Sequence, residues 1–259
     1  MLAEIKKHLT DHPWMDRIQY FSTIDSTNTY GKQLAQQGSP AGTIIIAGHQ
    51  SAGRGRLGRS FSSPKNMGLY MSVILRPDCT PSEIMHLTCA TAVAAVNAID
   101  NPQVAIKWTN DLVMGKRKLG GILTELSVNP TTQKVDWVIV GIGINCCQES
   151  HHFPPEIRQI ACSLGIDQQA IPLLAAKLIQ SLYQMDQGLL SRKEEIMAAF
   201  IEKCVTIGSE ISVVRGDDIR HGKAIGLDAD GGLMVEYPDG SAETVTSGEV
   251  SIRGMYGYL

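Results

Sequence analysis

The sequence predicts an α+β protein in which helices cover a mixed, largely antiparallel sheet, followed by a small antiparallel β-barrel. Three observations support this prediction. Strand-like apolar runs are joined by hairpin-type turns such as MGKRK and NPTTQ. Helical segments are too few for a doubly wound parallel sheet. From residue 208 onward, short alternating segments separated by GDD, DADGG and PDG turns replace the earlier pattern. The predicted domains are therefore 1–206 and 207–259.

The elements follow from hydrophobic periodicity taken in chain order. Apolar or alternating runs predict strands at 17–24, 43–49, 67–75, 103–107, 111–114, 120–128 and 134–145. The capping residues DSTN open a short helix that ends near Gln37, and helical spacing predicts further helices at 82–99, 172–187 and 191–203. The barrel strands are expected within 209–214, 221–227, 232–237 and 241–246.

Composition bounds the class of protein. With 43% hydrophobic and 19% charged residues among 259, the chain resembles a soluble globular protein. No apolar run approaches the roughly 20 residues of a membrane span. The start, MLAEIKKHLTDHPW, lacks the apolar core of a signal peptide, so a cytoplasmic location without membrane association is expected.

Cysteine usage and charge exclude other classes. The six cysteines form no C-x-x-C pair and lie partly in apolar runs, which indicates reduced core thiols. No metal-ligand spacing is present, so no protein metal site is predicted. The net charge of -3 argues against non-specific nucleic-acid binding by the whole surface.

The stretch GRGRLGR at 53–59 carries three glycines and three arginines. A solvated basic loop is one interpretation. The glycines also spell the G-x-G-x-x-G of a dinucleotide fold, but that turn must open into a helix, whereas SFSSPKN follows here. The remaining interpretation is a mobile loop that gathers guanidinium and backbone N–H groups around an anionic ligand.

Four further motifs lie beside predicted strands. DSTN at 25–28 offers hydroxyls and an amide, although alone it is an ordinary helix cap. KWTND at 107–111 places a lysine, a carboxamide and a carboxylate at a strand end, where turn sequence is the plain alternative. RKLGGIL at 117–123 and GIGIN at 141–145 put glycines inside strands, which suggests close approach by a flat ligand or another backbone.

Taken together and in this order, DSTN, GRGRxGR, KWxND, KLGGIL and GIGIN resemble the motifs of bacterial biotin protein ligases. The similarity runs from about residue 20 to the end. It implies a class II synthetase-like catalytic fold and an SH3-like C-terminal domain. Only about 20 residues precede the first strand, so the family's winged-helix DNA-binding domain, and DNA binding with it, are expected to be absent.

The resemblance also implies roles for individual residues. Ser26, Thr27 and Gln50 would hydrogen-bond the ureido ring of biotin, and Lys118 would lie against its carboxylate and the α-phosphate. Lys118, Arg56 and Asp111 would act in catalysis, and Asn110 and Asp111 would lie near the phosphates and Mg²⁺. The nucleotide would contact Arg59, Phe61, Asn110 and Asn145. Biotin or biotinyl-AMP would contact Ser26, Thr27, Asn28, Gln50, Gly53, Arg54, Gly55, Arg56, Lys118, Gly121 and Gly143.

Two positions depart from the family pattern. Thr109 stands where the family usually has proline, which loosens a turn without removing a functional group. Phe61 stands where the family often has a tryptophan that packs near the adenine. A smaller ring retains a face for stacking.

The activity implied is ATP-dependent and has two steps: formation of biotinyl-5′-AMP, then transfer of biotin to a lysine of a carboxylase biotin carrier domain. Biotin, ATP with Mg²⁺ and that carrier domain are the implied partners, and a homodimer is expected. Three alternatives remain at this point: a lipoate ligase or octanoyltransferase, a biotin-sensing repressor, and a passive biotin-binding module.

Overall fold

The computed structural model describes residues 1–246 and 251–254; the other residues of the predicted barrel lie outside this description. The α-helices are α1 Leu2–Lys7, α2 Thr27–Gln36, α3 Leu87–Ile99, α4 Ile171–Gly188 and α5 Lys193–Lys203. The strands are β1 Ile18–Phe21, β2 Ile44–Ala47, β3 Gly68–Leu75, β4 Val104–Lys107, β5 Asp111–Met114, β6 Arg117–Val128, β7 Val135–Asn145, β8 Glu210–Arg215, β9 Asp218–Leu227, β10 Leu233–Glu236, β11 Ala242–Val245 and β12 Ser251–Gly254.

The first seven strands form one sheet with the order β1-β2-β3-β7-β6-β5-β4. Only the β1–β2 pairing is parallel, and the other five pairings are antiparallel. Short turns join β4 to β5, β5 to β6 and β6 to β7, as antiparallel neighbours allow. The prediction of a mixed, largely antiparallel sheet is confirmed.

The two faces of this sheet carry different layers, and strand β7 shows why. Val138, Val140 and Ile142 point into the larger core, which also contains residues of α1, α3, α4 and α5. The alternate residues Trp137 and Ile139 point to the other face, where they form a smaller core beneath α2. Because side chains alternate along a strand, one apolar run supplies both layers.

Helix α3 is the buried helix predicted at 82–99. A short 3₁₀ turn, Pro81–Ile84, precedes it, with Thr80 and Glu83 forming a capping box. The 19-residue segment Pro81–Ile99 is long and apolar enough by composition to cross a membrane, with a mean hydropathy of 1.2, contrary to the expectation above. However, 61% of it is buried inside the protein, and α3 packs against α4 and α5, as core helices of soluble proteins do.

Beyond the small core, the α2 face of the sheet changes from bulky residues to glycine. Along β7, Gly141, Gly143 and Asn145 follow Ile139 at alternate positions. The strand register places Gly121 opposite Gly143 and Asp111 opposite Gly121. The sheet therefore offers a floor of glycines flanked by polar side chains on the face that α2 only partly covers.

The second sheet contains five antiparallel strands in the order β11-β10-β9-β8-β12. Its 228–232 turn lies against the first unit: Trp108 Nε1 donates a 2.8 Å hydrogen bond to the carbonyl of Gly231. Lys193 Nζ and Asp230 Oδ1 form an ion pair of 2.5 Å beside it. The small sheet is thus anchored close to the end of β4.

Candidate active site

A cavity of about 590 Å³ lies over the glycine floor. Its walls are the start of α2, the arginine loop 53–61, the ends of β4 and β5, and the segment 153–161. All of the site residues predicted from sequence line it except Gly53: Ser26, Thr27, Asn28, Gln50, Arg54, Gly55, Arg56, Arg59, Phe61, Asn110, Asp111, Lys118, Gly121, Gly143 and Asn145. The fold therefore gathers the scattered motifs into one site, while their individual roles stay predictions.

One end of the cavity is uncharged and rich in hydrogen-bonding groups. The Thr27 backbone N–H donates to Gln50 Oε1 at 2.9 Å, and Thr27 Oγ1 lies 3.1 Å from the same oxygen. Gln50 Nε2 donates to Ser63 Oγ at 2.9 Å, which leaves its second N–H available. Ser26, the N-cap of α2, accepts a 3.5 Å hydrogen bond from Thr29 and keeps its hydroxyl proton for another partner. This end can recognise a neutral polar group.

Ser72 on β3 supports these residues from below and was not predicted from sequence. Its fully buried hydroxyl lies 2.6 Å from Asn28 Oδ1 and 2.7 Å from Thr27 Oγ1. The Asn28 amide also donates to the carbonyl of Leu123 at 3.2 Å. A serine within the apolar run GLYMSVIL is the signal that could have revealed it, since a buried hydroxyl needs a partner.

Gly141 makes room for Asn28 rather than for a ligand. A Cβ at Gly141 would overlap Oδ1 of Asn28. Gly143 plays the same part for Phe61, because a Cβ there would lie 2.6 Å from the ring atom Cε1. A Cβ on Gly121 would meet its nearest neighbour, a Lys118 side-chain carbon, at 3.5 Å. The strand glycines thus permit close approach, and at two of them the approaching group is a side chain.

The arginine loop has a hairpin-like conformation. Gly55 N donates to the Arg59 carbonyl at 2.7 Å, Phe61 N donates to the Gly53 carbonyl at 2.9 Å, and a short 3₁₀ turn lies between them. A Cβ on Gly53 would overlap the carbonyl oxygen of Phe61, so Gly53 shapes the base of the loop without lining the cavity. No helix follows, which excludes the dinucleotide-binding interpretation.

Arg56 reaches from this loop to the end of the sheet. Its guanidinium donates a 2.9 Å hydrogen bond to Asn110 Oδ1, while Asn110 Nδ2 donates to the carbonyl of Ile122 at 3.0 Å. Burial lowers the pKa of Arg56, and the nearby charge of Asp111 opposes that shift. A guanidinium remains protonated in proteins, so a fixed positive charge faces the cavity.

Asp111 and Lys118 form an ion pair on the cavity floor. Lys118 Nζ donates to Asp111 Oδ1 at 2.6 Å. Lys107, which lies opposite Asp111 in the β4–β5 pairing, also lines the cavity and is buried. The peptide bond between Trp108 and Thr109 that follows it is cis. The second end of the cavity is therefore cationic, and Lys107 joins the residues expected there.

Phe61, Asn145 and an irregular segment form the remaining wall. Asn145 is held on both sides, because its Nδ2 donates to the Cys162 carbonyl at 2.9 Å and its Oδ1 accepts from Gln148 at 3.1 Å. The segment 153–161, for which the sequence predicts no helix or strand, contributes the apolar side chains of Phe153, Ile157 and Ile160. Together they give this end of the cavity an apolar surface beside Phe61.

The described side chains form neither a preformed cluster of metal ligands nor a reactive thiol site. Within residues 1–246 and 251–254, no three His, Cys, Asp or Glu side chains are grouped as metal ligands. The six cysteines are free. Burial raises the pKa of Cys89 and of Cys146 to about 12, with smaller contributions from neighbouring groups, so both are protonated at neutral pH.

Comparison with known proteins gives matches along most of the chain. Residues 20–145 match the biotin/lipoate A/B protein ligase family, and residues 206–253 match the biotin protein ligase C terminal domain. The bifunctional ligase/repressor BirA of Bacillus spizizenii is 33% identical over 249 residues, which cover 92% of this chain and 75% of that protein. The biotin--[acetyl-CoA-carboxylase] ligase of Paracoccus denitrificans is 28% identical over 243 residues, covering 89% and 98%.

A solved structure agrees with these relatives. The biotin protein ligase from Aquifex aeolicus in complex with biotin and ATP superposes with a TM-score of 0.73 at 28% identity, covering 92% of this chain and 98% of that one. The two family matches fall on the seven-stranded sheet and on the small sheet respectively. The fold predicted from the motifs is confirmed, and the chain belongs to the biotin protein ligase family.

Proposed function

We propose that this protein uses ATP to form biotinyl-5′-AMP and transfers biotin to a lysine of a carboxylase biotin carrier domain. One observation carries the proposal: a single cavity joins a neutral hydrogen-bonding end to a cationic end across a glycine floor. Biotin has the same polarity, with an uncharged ureido ring at one end and a carboxylate at the other. The names of the relatives support the same chemistry.

The neutral end is suited to the ureido ring. Gln50 offers an unused N–H, and Ser26 offers its hydroxyl proton. Both groups are oriented by hydrogen bonds: Gln50 accepts from Thr27 and donates to Ser63, and Ser26 accepts from Thr29, so they need not reorganise when the ring enters. Pre-oriented donors of this kind give specificity in an otherwise apolar slot.

The cationic end addresses the electrostatic obstacle of the first step. The biotin carboxylate oxygen attacks the α-phosphorus of ATP, a P–O bond forms, and pyrophosphate leaves. Two like unit charges 4 Å apart repel by ~4 kcal/mol at an effective dielectric of 20. Arg56 and Lys118, with Lys107 close by, supply fixed positive charge where these anions meet. The charges act through preorganisation, since neighbouring side chains already hold Arg56 and Lys118.

Mg²⁺ accompanies ATP in the reaction that we propose. In proteins it is commonly held by one or two carboxylates together with substrate phosphates. Asp111 brings a carboxylate to the cationic end and Asn110 adds an amide oxygen, so these side chains fit the ion and would hold it. When bound, the ion neutralises phosphate charge.

The arginine loop limits the access of water to the intermediate in the cavity. An acyl adenylate hydrolyses in contact with solvent, and the loop 53–61 forms a wall of the cavity that contains it. In the second step the ε-amine of the carrier lysine attacks the acyl carbon, an amide forms, and AMP leaves. The glycines allow the loop to order around the intermediate, and ligand contacts offset an ordering cost of ~1 to 2 kcal/mol per residue.

The test is incubation with biotin, MgATP and a biotin carrier domain, with mass spectrometry of the carrier. The expected result is the mass increase of one biotinyl group on one lysine, with release of pyrophosphate. Parallel reactions contain lipoate or octanoate instead of biotin, and we expect no transfer because neither acid has a group that uses Gln50. Biotin binding without pyrophosphate release would indicate a passive binder and contradict the proposal.

The setting that we propose is a cytoplasmic homodimer without DNA binding or membrane attachment, with domains 1–206 and 207–259. β1 lies at one edge of the seven-stranded sheet, and sheet edges are common places for pairing between subunits. Sedimentation velocity with and without biotin and ATP tests the oligomeric state.

A further inference from the structure

Glu125 is a partly buried carboxylate on β6 that no step described above uses. Its side chain is 18% exposed and receives three donors, two from α2 and one from the arginine loop. Lys32 Nζ on α2 lies 2.5 Å from Oε1, and Asn28 Nδ2, also on α2, donates to Oε2 at 2.9 Å. The third donor is Arg54 of the arginine loop. One carboxylate therefore links α2 to the arginine loop.

The contact with Arg54 has the geometry of a paired fork. Arg54 NH1 lies 3.2 Å from Oε2 and NH2 lies 3.2 Å from Oε1. A bidentate arginine–carboxylate pair restrains orientation as well as distance. Gly53 and Gly55 flank the arginine, so this contact restrains a stretch of backbone that is otherwise easily rearranged.

Two of its arginines therefore attach the loop to the sheet. Arg54 binds Glu125 near the middle of the sheet, whereas Arg56 binds Asn110 at the end of the β4–β5 connection. Burial tends to raise the pKa of Glu125, but hydrogen bonds from Lys32 and Asn28 and the charges of Lys32 and Arg54 outweigh it, so its pKa lies below the ordinary value. Glu125 is thus ionised at neutral pH and able to hold the guanidinium.

We propose that Glu125 is a positioning residue that holds the arginine loop over the cavity through Arg54; its effect on catalysis rests on the proposed function, but its effect on the loop does not. Arg54 and Arg56 then have different roles. Arg54 sets where the loop lies, and Arg56 presents charge to the reacting anions. Loss of the Glu125 contact lets the loop leave the sheet without removing the guanidinium of Arg56.

The first experiment measures hydrogen–deuterium exchange of peptides covering 51–62 in the unliganded full chain. Glu125→Gln keeps the shape and the acceptor oxygen but removes the charge, and we expect exchange in this stretch to rise about fivefold, as for the loss of a good part-exposed ion pair. Arg54→Gln, on the loop itself, is expected to give the same rise. Lys32→Ala removes the other ion pair on Glu125 and should leave loop exchange within about twofold of the unsubstituted protein.

The double variant Arg54→Gln with Glu125→Gln tests whether the two residues act on each other. If they do, the double variant exchanges no faster than either single variant. In catalysis, each single variant should raise the KM for biotin about fivefold with a smaller change in kcat, because the loop must be ordered anew on binding. Lys32→Ala should leave both constants within about twofold.

Additive increases in exchange, or an effect of Lys32→Ala equal to that of Glu125→Gln, would show that Glu125 acts through α2 and would overturn the inference. Unchanged exchange in both Arg54→Gln and Glu125→Gln would overturn it too. Failure of the proposed function is a different result: the unsubstituted protein would then not biotinylate the carrier domain, while the exchange measurements would still report on the loop.

Discussion

The guanidinium of Arg56 and the amide oxygen of Asn110 are joined by a 2.9 Å hydrogen bond that bridges the arginine loop and the end of the sheet. Asn110 is itself tied to Ile122 through both its backbone and its side chain. The guanidinium is therefore held by a rigid acceptor, which places its charge beside Asp111 and Lys118. This geometry fixes the position of the Arg56 charge at the end of the sheet.

Arg56→Ala is expected to increase escape of biotinyl-AMP from the enzyme by ~10- to 100-fold, as for loss of a hydrogen bond to a charged group. Biotin affinity should change by less than about threefold, because the ureido end lies at the other end of the cavity. Rapid-quench measurement of free biotinyl-AMP checks this. Asn110→Ala, which leaves the guanidinium but removes its acceptor, should have a smaller effect. Equal leakage with and without Arg56 would refute the role.

The arginine loop and the glycine strands could be predicted from sequence because their signals are local. Glycine spacing, arginine content and the absence of a following helix all lie within a few residues. Ser72 and Glu125 were missed because each acts through residues far away in the chain. Ser72 is opposite Gly141 only by virtue of the β3–β7 register, and Glu125 meets Arg54 across 71 positions. Register between distant strands has no local signature.

The ends of strands are also set by pairing with distant residues, so local sequence does not predict them accurately. The predicted strand 17–24 is shorter in the structure, Ile18–Phe21, because pairing with β2 is parallel and stops at Ala47. The sequence predicts no helix or strand over 153–161, which agrees with its backbone, but its apolar side chains line the cavity. Periodic patterns identify helices and strands, so they do not reveal a loop that packs through its own side chains.

Gly141→Ala tests the close approach of Asn28 to β7. The added methyl would overlap Asn28 Oδ1, so the amide must move or the strands must separate. We expect a loss of ~1 to 3 kcal/mol in the free energy of unfolding, the usual cost of overpacking, together with weaker biotin binding. Urea unfolding followed by tryptophan fluorescence gives the first quantity.

The matched control for this substitution is Gly226→Ala on β9. There the nearest atom to an added Cβ is the Met234 sulfur at 3.9 Å, an ordinary contact. The control should keep its free energy of unfolding within about 0.5 kcal/mol of the unsubstituted protein. If both substitutions lower the free energy of unfolding equally, the cause is the replacement of a strand glycine as such and not the overlap with Asn28.

Ser72→Ala tests the support beneath the neutral end of the cavity. It deprives Asn28 Oδ1 and Thr27 Oγ1 of a buried partner, at a cost of ~1 to 3 kcal/mol in the free energy of unfolding. The KM for biotin should rise because Thr27 also orients Gln50. Thr88→Val removes a hydroxyl that pairs with Thr124 at 2.8 Å, between α3 and β6. It should leave the KM for biotin unchanged, so a shared rise in KM would refute the specific role of Ser72.

His86 makes stability depend on pH. Its ring is fully buried, its Nε2 donates to the Leu189 carbonyl at 2.9 Å, and its Nδ1 has no hydrogen-bond partner among the described residues. Burial is the main cause that lowers its pKa, with Lys193 acting in the same direction and the Leu189 hydrogen bond and Asp230 opposing. The His86 side chain has an ordinary pKa in the unfolded chain. Between the folded and the unfolded pKa, the unfolded chain therefore binds a proton there and the folded chain does not. The free energy of unfolding is therefore greatest above the unfolded pKa and falls as the pH drops toward the folded one.

His86→Gln keeps a donor for the Leu189 carbonyl but cannot titrate, so the loss of stability between about pH 7.5 and pH 5.5 should be smaller than in the unsubstituted protein. Urea unfolding at the two pH values measures the difference. Burial lowers the pKa of His12 as well. His12→Gln should therefore also reduce the dependence of the free energy of unfolding on pH, and it serves as the comparison. A His86→Gln protein whose stability falls as steeply as that of the unsubstituted protein would mean that other groups bind the proton. The expected order of slopes is the unsubstituted protein first, then each single variant, with the double variant flattest. The two contributions should add because the rings contact different residues, His12 with Trp14 and Tyr183 and His86 with Leu189.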